Sequence, residues 1–395
     1  MTVPAHPRDD AGPLEHGSPG DGRAAGGTWA VIAGGGTAGH ALPAVAIGRA
    51  LVGRGHAPSS IHFVGARRGM EARLVPEAGF SITLLPGRGI ERRLTAGNVA
   101  ALAGLLAACG RALLLLARRR PAVVVSVGGY ASVPCSLAAV LLRVPLVVAE
   151  SNAVAGLANR LAGRFARAAA VAFPGTGLPR EEVTGNPVRP EILAVDRTPA
   201  GRSAARRALG LPDRRRVLAV TGGSLGARRI NEATLGLAGS WADRTDVSVR
   251  HAVGSRDWAS VSQRLPAVPD TGLVYQPVEY ESRMDLVLAA ADLLVARAGG
   301  TTLAEVTTAG VPAILVPLPI APNDHQAAGA RVLEEAGAAV MVRDERLTAE
   351  WLAETAGALL ADEDRLASMA AAARRLGRPD AAERVAELVD RHARL

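Results

Sequence analysis

The chain has 395 residues, of which 49% are apolar and 21% charged, and this composition excludes a disordered, collagen-like or coiled-coil chain. Its 45 basic residues are all arginines, since the sequence contains no lysine, and the formal net charge is +8. The lack of lysine excludes a P-loop, a lysine Schiff base and a lysine general base. The small positive excess suits anionic lipids or phosphorylated substrates without identifying either.

The N-terminal region does not show the pattern of a signal peptide. Residues 1–28 are rich in Gly, Pro, Asp and Ala and predict a disordered tail. The two cysteines, Cys109 and Cys135, form no C-x-x-C pair, which favours a reducing compartment. The stretch most like a membrane span, 99–117, is interrupted by two glycines and an arginine, so it predicts a buried or interfacial helix.

The rest of the chain alternates short β-branched runs with Ala- and Leu-rich helical stretches, the pattern of parallel α/β layers. A turn-rich connection, Gly185–Pro190, separates two such halves, so each half predicts its own Rossmann-like parallel sheet. After Thr348 the sequence predicts helix almost throughout. The predicted strands are 29–33, 61–64, 82–85, 122–127, 146–149 and 169–173 in the first half, and 217–221, 247–253, 273–275, 293–296, 313–316 and 339–342 in the second.

A glycine-rich turn, Gly34–His40, follows the first predicted strand and precedes a helix. Its glycines allow a tight turn, and the N–H groups at the helix start favour an anion. The spacing also fits the dinucleotide fingerprint, but the second strand ends Gly65–Arg68 without an acidic residue, which leaves only an NADP site open. His40 is a candidate general base near neutral pH, or else a solvent-facing residue at the helix start.

A second turn, Thr221–Arg228, contains the G-x-S-x-G pattern of a hydrolase nucleophile elbow centred on Ser224. Asp292 and His325 follow in the chain order of a hydrolase triad. Alternatively, Ser224 offers its hydroxyl and neighbouring N–H groups to a phosphate.

A third turn, Arg297–Glu305, again joins a strand end to a helix. Thr302 there can bind a phosphate, and the Glu305 carboxylate can accept both hydroxyls of a ribose. Glu305 can also serve only as a partner of the helix dipole.

Three anion-type turns divided between two sheets favour a diphosphate ligand in the cleft between the domains. No set of metal ligands accompanies them, because the D-x-D pattern at Asp362–Asp364 lies in a charged helical stretch. A site without metal must stabilise the departing phosphate with helix N-termini and arginines, and Arg189 in the connection suits that role.

Taken together, these motifs resemble the MurG family, the bacterial transferases that add N-acetylglucosamine to lipid I. The resemblance covers about residues 29 to 345. It is carried by Gly35–His40 with Pro43, Gly69–Val75, Gly128–Tyr130 before Ser132–Pro134, Glu150–Ala153 before Gly156, Gly185–Arg189, Gly222–Arg228 with Asn231, Gly299–Glu305 and Asp324–Gln326.

The resemblance implies a GT-B fold, with two Rossmann-like domains whose parallel sheets face a central cleft. It implies an acceptor-binding domain over 29–185, a UDP-N-acetylglucosamine-binding domain over 186–370, and a final helix over 371–395 that packs back on the first domain. It also implies a peripheral enzyme of peptidoglycan synthesis on the cytoplasmic side of the cell membrane, without cofactor or metal. Nucleic acid binding is unsupported, because the basic residues are dispersed and aromatic residues are few.

The resemblance assigns His40 as the base that deprotonates the C4 hydroxyl of the lipid-linked acceptor. In-line attack then inverts the anomeric carbon and expels UDP. Glu305 would bind the ribose, Ser224 and Thr302 the diphosphate, Gln326 the sugar hydroxyls, and the Tyr280–Glu281 loop the uracil. The full set of expected substrate-binding residues is Thr37, Ala38, Gly39, Asn152, Arg189, Ser224, Gly300, Thr301, Thr302, Glu305 and Gln326.

The sequence departs from the family pattern at Ser151 and Leu225, where glutamine is common, and at Ala298, where serine is common. Because of these departures, the sequence does not determine the contacts to the sugar and the phosphates. The alternative of a related transferase with another sugar or acceptor therefore stays open. The lipid acceptor also gives the predicted helix 102–116 a role as an interfacial helix, flanked by Arg92, Arg93, Arg111 and Arg118–Arg120. The alternative is that this helix packs against the N-terminal sheet.

Overall fold

The computed structural model describes residues 27–86 and 97–394, with the backbone alone at Ala38 and 97–102. All but the last two residues of the predicted tail lie outside this range, as do Arg92 and Arg93.

The first domain is built on a parallel sheet of seven strands in the order β3-β2-β1-β4-β5-β6-β7. Most of its strands are short apolar runs, because a parallel sheet is covered on both faces. Alternate residues of β1 face opposite sides: Ala30 and Ile32 lie in one core cluster, Val31 and Ala33 in the other. The strands are β1 Ala30–Gly35, β2 Ile61–Ala66, β3 Ser81–Leu85, β4 Val123–Gly129, β5 Leu146–Glu150, β6 Ala168–Val171 and β7 Glu181–Val183.

Helices cover both faces of this sheet, α1 on one and α3 and α4 on the other. They are α1 Ala38–Gly53, α2 Glu71–Glu77, α3 Gly97–Arg119, α4 Ser132–Leu141 and α5 Leu157–Gly163. Within the described residues, no helix is both long enough and apolar enough to span a membrane.

The second domain repeats the plan with six parallel strands in the order β10-β9-β8-β11-β12-β13. These are β8 Arg216–Thr221, β9 Val247–Ala252, β10 Val274–Val278, β11 Leu293–Arg297, β12 Ala313–Val316 and β13 Ala339–Met341. Its helices are α6 Pro190–Leu193, α7 Pro199–Ala208, α8 Arg228–Ser240, α9 Trp258–Ser262, α10 Met284–Ala290, α11 Gly300–Ala309, α12 His325–Glu335, α13 Ala349–Ala361 and α14 Glu363–Leu376.

The chain crosses between the domains twice. The first crossing is the predicted connection around Asn186. The second follows α14, whose Ala372 and Ala373 are buried in the second core, so this crossing lies beyond the expected boundary at residue 370. The last helix, α15 Ala381–His392, packs against α1 and buries Leu388 in the first core.

Two Rossmann-like domains with parallel sheets confirm the predicted fold class. Twelve of the strands correspond to predicted ones, with ends that differ by up to three residues. The short edge strand β7 was not predicted, because its glutamate pair and its three-residue length give no apolar run.

Candidate functional site

A cavity of about 680 Å³ lies between the two domains. It opens at the carboxyl ends of strands from both sheets, where ligands bind in open α/β folds. Residues from the β1–α1 and β5–α5 loops line one side, and residues from the β8–α8 and β11–α11 loops line the other. The volume is in the range of small-molecule sites.

His40 lies in the first turn of α1 and is half-buried. Its Nδ1 is 3.2 Å from the hydroxyl of Thr37, the residue that precedes the helix. Burial lowers the pKa of His40, although the nearby carboxylates of Glu150 and Glu71 oppose that shift. A lowered pKa keeps the imidazole neutral near pH 7, which is the form that accepts a proton.

The first glycine turn is held by a buried carboxylate. Glu71 is 3% exposed, and its Oε2 accepts a hydrogen bond from the N–H of Gly36 at 2.8 Å. Its Oε1 accepts from the N–H of Ala66 at 2.7 Å. The N–H of Gly36 is therefore engaged by the protein itself. That the N–H groups at the start of α1 favour a ligand anion stays a prediction, since the helix begins after Gly36.

A second buried carboxylate, Glu150 at the end of β5, organises the following loop. One oxygen accepts from the backbone N–H and the side-chain amide of Asn152, at 3.0 and 2.8 Å. The other accepts from the N–H of Gly156 and the amide of Asn159, both at 3.0 Å. The amide nitrogen of Asn152 is thus fixed toward Glu150, so its oxygen is the atom left to face the cavity.

The N-terminus of α11 reaches across the cleft to the first domain. A Cβ at Gly300 would lie 2.2 Å from the carbonyl oxygen of Ser151, so only glycine fits there. The hydroxyl of Thr301 donates to the carbonyl of Gly39 at 3.3 Å. That carbonyl has no partner within α1, because the residue four positions on is Pro43, which has no N–H.

Arg189 and Glu305 form an ion pair of 3.1 Å inside the cavity. Glu305 is buried in the second turn of α11, and burial raises the pKa of its carboxyl while Arg189 lowers it. The guanidinium expected at the diphosphate and the carboxylate expected at the ribose are therefore neighbours.

Ser224 lies in the β8–α8 loop and lines the cavity, but the hydrolase alternative is wrong. Asp292 comes before β11, and its N–H pairs with Val217 near the start of β8, at the opposite end of the sheet from Ser224. Its carboxylate accepts from Arg206 and from the N–H of Val217 at 2.8 and 2.7 Å. No triad can form from these residues.

The NADP alternative also finds no support in the geometry. Arg67 and Arg68 are exposed in the turn after β2 and do not line the cavity. In the described part of the chain, no group of three or more His, Cys, Asp or Glu residues is arranged to hold a metal ion.

The remaining predicted residues lie at the start of α12 and in the loop after β10. The amide oxygen of Gln326 accepts from the N–H of Leu318 at 2.9 Å, which leaves its NH₂ group as a donor. Tyr280 is exposed, whereas Glu281 is buried and pairs with Arg250 at 2.7 Å. Both line the cavity.

The structure brings His40 and ten of the eleven predicted substrate-binding residues to one cavity. The exception is Ala38, whose side chain lies outside the described set. Glu71 and Glu150 lie inside two of the motifs that carry the family resemblance, yet the sequence predicts no role for either. The structure draws attention to Glu71 because glycines from separate segments of the chain pack against its side chain.

Comparisons with known proteins agree with this arrangement. Residues 30–171 match the glycosyltransferase family 28 N-terminal domain, and residues 217–385 match the C-terminal domain of that family. The UDP-N-acetylglucosamine–N-acetylmuramyl-(pentapeptide) pyrophosphoryl-undecaprenol N-acetylglucosamine transferase of a Nocardioides species is 44% identical, over 91% of this chain and 96% of its own length. The enzyme of the same name from Mycolicibacterium vanbaalenii is 43% identical, over 91% and 88%.

Among solved structures, MurG of Acinetobacter baumannii superposes with a TM-score of 0.72 at 30% identity, covering 92% of this chain and 99% of that one. Together with the two family 28 domains, these likenesses extend over nearly all of the folded chain. The protein therefore belongs to the MurG family of glycosyltransferases.

Proposed function

We propose that this protein transfers N-acetylglucosamine from UDP-N-acetylglucosamine to the C4 hydroxyl of the muramyl sugar of lipid I, the undecaprenyl-diphosphate-linked muramyl pentapeptide. The product is lipid II, a precursor of peptidoglycan. One observation carries the proposal: a single cavity joins His40 of the first domain to Arg189, Glu305 and the N-terminus of α11. The relatives at 43 and 44% identity are named for this reaction.

His40 is the general base of the proposed mechanism. When Nδ1–H donates to the Thr37 hydroxyl, Nε2 carries the lone pair that accepts a proton. His40 takes the proton of the acceptor C4 hydroxyl as its oxygen bonds to the anomeric carbon from the face opposite UDP. The bond between that carbon and the β-phosphate oxygen breaks, and UDP leaves with the electron pair. The anomeric configuration is inverted.

The second domain stabilises the leaving UDP. Because the N–H groups at the start of α11 carry partial positive charge, they favour the growing negative charge on the diphosphate. Arg189 and the hydroxyls of Ser224 and Thr302 bind the diphosphate, and Glu305 binds the ribose hydroxyls. Gln326 donates to the sugar. Thr37, Ala38, Gly39, Asn152, Gly300 and Thr301 complete the walls.

The lipid acceptor requires the enzyme to work at a membrane, and the first domain carries a surface suited to one. We call it the docking face. It consists of exposed apolar side chains of α3, α4 and α5 together with Phe165, which lies two residues beyond α5. These side chains are Leu106, Leu114, Leu137, Leu141, Leu157, Leu161 and Phe165. Leu157 also lines the cavity, so the docking face adjoins the site.

The charge around the docking face favours an anionic surface. Residues 97–167 contain a single acidic residue, Glu150, and it is buried. The same stretch contains Arg111, Arg118, Arg119, Arg120, Arg143, Arg160, Arg164 and Arg167. Exposed leucines ringed by arginines are typical of an interfacial helix. We therefore place the enzyme on the cytoplasmic side of the cell membrane, as a peripheral protein.

The decisive experiment measures UDP release from UDP-N-acetylglucosamine by the purified protein, with and without a soluble lipid I analogue. We expect acceptor-dependent release that falls by about 10²- to 10⁴-fold in His40→Ala, the usual contribution of a general base. UDP binding should be unchanged in that variant, since His40 belongs to the acceptor side.

His392→Ala, at the end of α15, is the matched control and should behave as the unaltered protein. Full turnover in His40→Ala would show that the base is another group. UDP binding without transfer to lipid I would reassign the sugar or the acceptor, and the absence of UDP binding would contradict the proposed function.

A further inference from the structure

The Glu71 carboxylate occupies a slot made by glycines from three separate segments. A Cβ at Gly35, Gly65 or Gly69 would lie 2.1 to 2.3 Å from an atom of the Glu71 side chain. These glycines belong to the end of β1, to β2 and to the turn before α2. Three positions therefore accept only glycine so that one carboxylate can be buried.

Within the slot, the carboxylate connects two loops. Its Oε2 accepts from the N–H of Gly36 and its Oε1 from the N–H of Ala66, at 2.8 and 2.7 Å. Both are charge-assisted hydrogen bonds, which are about twice as strong as neutral ones. The β1–α1 turn is thereby tied to the end of β2.

The tied turn leads directly to His40. Gly36 is followed by Thr37, whose hydroxyl meets His40 Nδ1 and whose carbonyl accepts from the N–H of His40 at 3.1 Å. On its other side the imidazole packs on Gly128, where a Cβ would lie 3.2 Å from Nε2. A shift of Gly36 would therefore move the hydroxyl that orients the ring.

We propose that Glu71 is a positioning residue for transfer: it fixes the Gly36 amide, and through Thr37 it holds the His40 ring in the orientation that accepts the acceptor proton. The inference rests on the proposed role of His40 as the base. It gives the first glycine turn a different role from the phosphate cradle that its sequence suggests. The turn holds a carboxylate of the protein itself.

The experiment compares Glu71→Gln with Glu77→Gln, an exposed glutamate on the same helix. A glutamine side chain in the slot can accept a hydrogen bond from only one of the two N–H groups. Its own NH₂ group would then face the other N–H group, so two donors would meet without an acceptor. We expect kcat with the soluble acceptor to fall about 10- to 100-fold, the effect of one strong buried hydrogen bond. The dissociation constant of UDP should stay within twofold, and Glu77→Gln should retain full activity.

The pKa of His40 gives a readout that separates the proposal from loss of folding. Unfolding would remove burial and raise this pKa, whereas loss of the Glu71 charge lowers it. The charged groups around the ring are Glu150 and Glu71, which raise the pKa of His40, and His325, which lowers it. Removal of the Glu71 charge should therefore lower the pKa of His40 and shift the acid limb of kcat/KM to lower pH. NMR titration of labelled histidine follows this pKa without turnover, with His40→Ala assigning the signal.

A second variant separates geometry from charge. Glu71→Asp keeps the charge but is one methylene too short to reach both N–H groups, so kcat should fall while the pKa of His40 moves less than in Glu71→Gln. Wild-type kcat in both variants would overturn the proposal, as would lower kcat with an unmoved His40 pKa in Glu71→Gln. Failure of the unaltered protein to transfer would contradict the proposed function instead, and the NMR shift would still test the link between Glu71 and His40.

Discussion

At the scale of single residues, the site depends on three carboxylates that differ in what they meet. Glu71 and Glu150 bind N–H groups of the protein and shape loops, whereas Glu305 meets the guanidinium of Arg189. Burial raises the pKa of Glu305 above its ordinary value, with Arg189 opposing the shift. In the proposed function, the ionised carboxylate of Glu305 accepts hydrogen bonds from the ribose hydroxyls of UDP-N-acetylglucosamine, so binding should depend on the charge of this group.

Nucleoside binding should therefore strengthen as pH rises through the raised pKa of Glu305. Uridine is the suitable ligand, because it has both ribose hydroxyls and no phosphate that titrates near neutral pH. Isothermal calorimetry between pH 4.5 and 7.5 should show the rise in the unaltered protein and a flat profile in Glu305→Gln. At pH 7.5 that variant should bind about 10- to 150-fold more weakly, the range for hydrogen bonds to a charged group.

Glu354→Gln provides the control, since Glu354 is exposed on α13 of the same domain. An unchanged pH dependence in Glu305→Gln would show that another group governs nucleoside binding.

At the scale of elements, α11 links the two domains through its first turn. Gly300 packs on Ser151, and Thr301 donates to the carbonyl that Pro43 leaves without a partner in α1. The same turn directs its N–H groups at the proposed diphosphate site. The proposed binding of UDP-N-acetylglucosamine and the observed domain contact thus share one helix end.

Gly300→Ala should separate these two functions. Its Cβ would meet the Ser151 carbonyl oxygen and must push the domains apart by more than an ångström, since the contact would otherwise be 2.2 Å. We expect kcat to fall at least 10²-fold, because a 1 Å misplacement of reacting groups costs about that much. UDP affinity should change little. Steady-state kinetics and UDP titration measure the two effects.

Gly299→Ala is the matched control, because φ there is −70° and a Cβ would have nothing within 4 Å. Equal losses in both variants would show that the effect comes from the helix end itself and not from the domain contact.

The elements were largely predictable from the sequence, and the interactions among the site residues were not. Continuous apolar runs such as Leu146–Ala149 predict buried parallel strands, because both faces of such a sheet are covered. Strand β7 carries no such run. Glu71 binds the N–H of Gly36, 35 positions away, and Thr301 meets Gly39 from the other domain. Local patterns do not encode contacts between segments so far apart in the chain.

At the scale of the whole molecule, the two domains differ in the charged and apolar residues on their surfaces. The first domain exposes the docking face, with leucines and arginines and no exposed acidic residue over 97–167. The second domain pairs many of its arginines with carboxylates, as in Arg250–Glu281 and Arg264–Glu232. An anionic membrane should therefore orient the molecule with its first domain toward the lipid.

Charge reversal of Arg118 and Arg119 to glutamate should weaken binding to phosphatidylglycerol vesicles by at least about 30-fold. The loss of two basic residues accounts for that factor at about 1 kcal/mol each, and the two added carboxylates are repelled in addition. The effect should shrink as salt is raised. Transfer to a soluble acceptor should be unchanged. Vesicle sedimentation and the UDP-release assay measure the two properties.

The matched control reverses Arg207 and Arg214, which are exposed on the second domain. Equal vesicle binding by the two double variants would contradict the proposed docking face.

The return of α15 to the first domain has a consequence for biosynthesis. Val385, Leu388 and Val389 complete the core beside β1 and α1, yet they leave the ribosome after the whole second domain. Domains usually fold in the order in which they are made, but this one keeps an apolar groove open until the second domain has been synthesised. The first domain is thus completed after the second, and a nascent chain that stalls before α15 exposes that groove to chaperones and proteases.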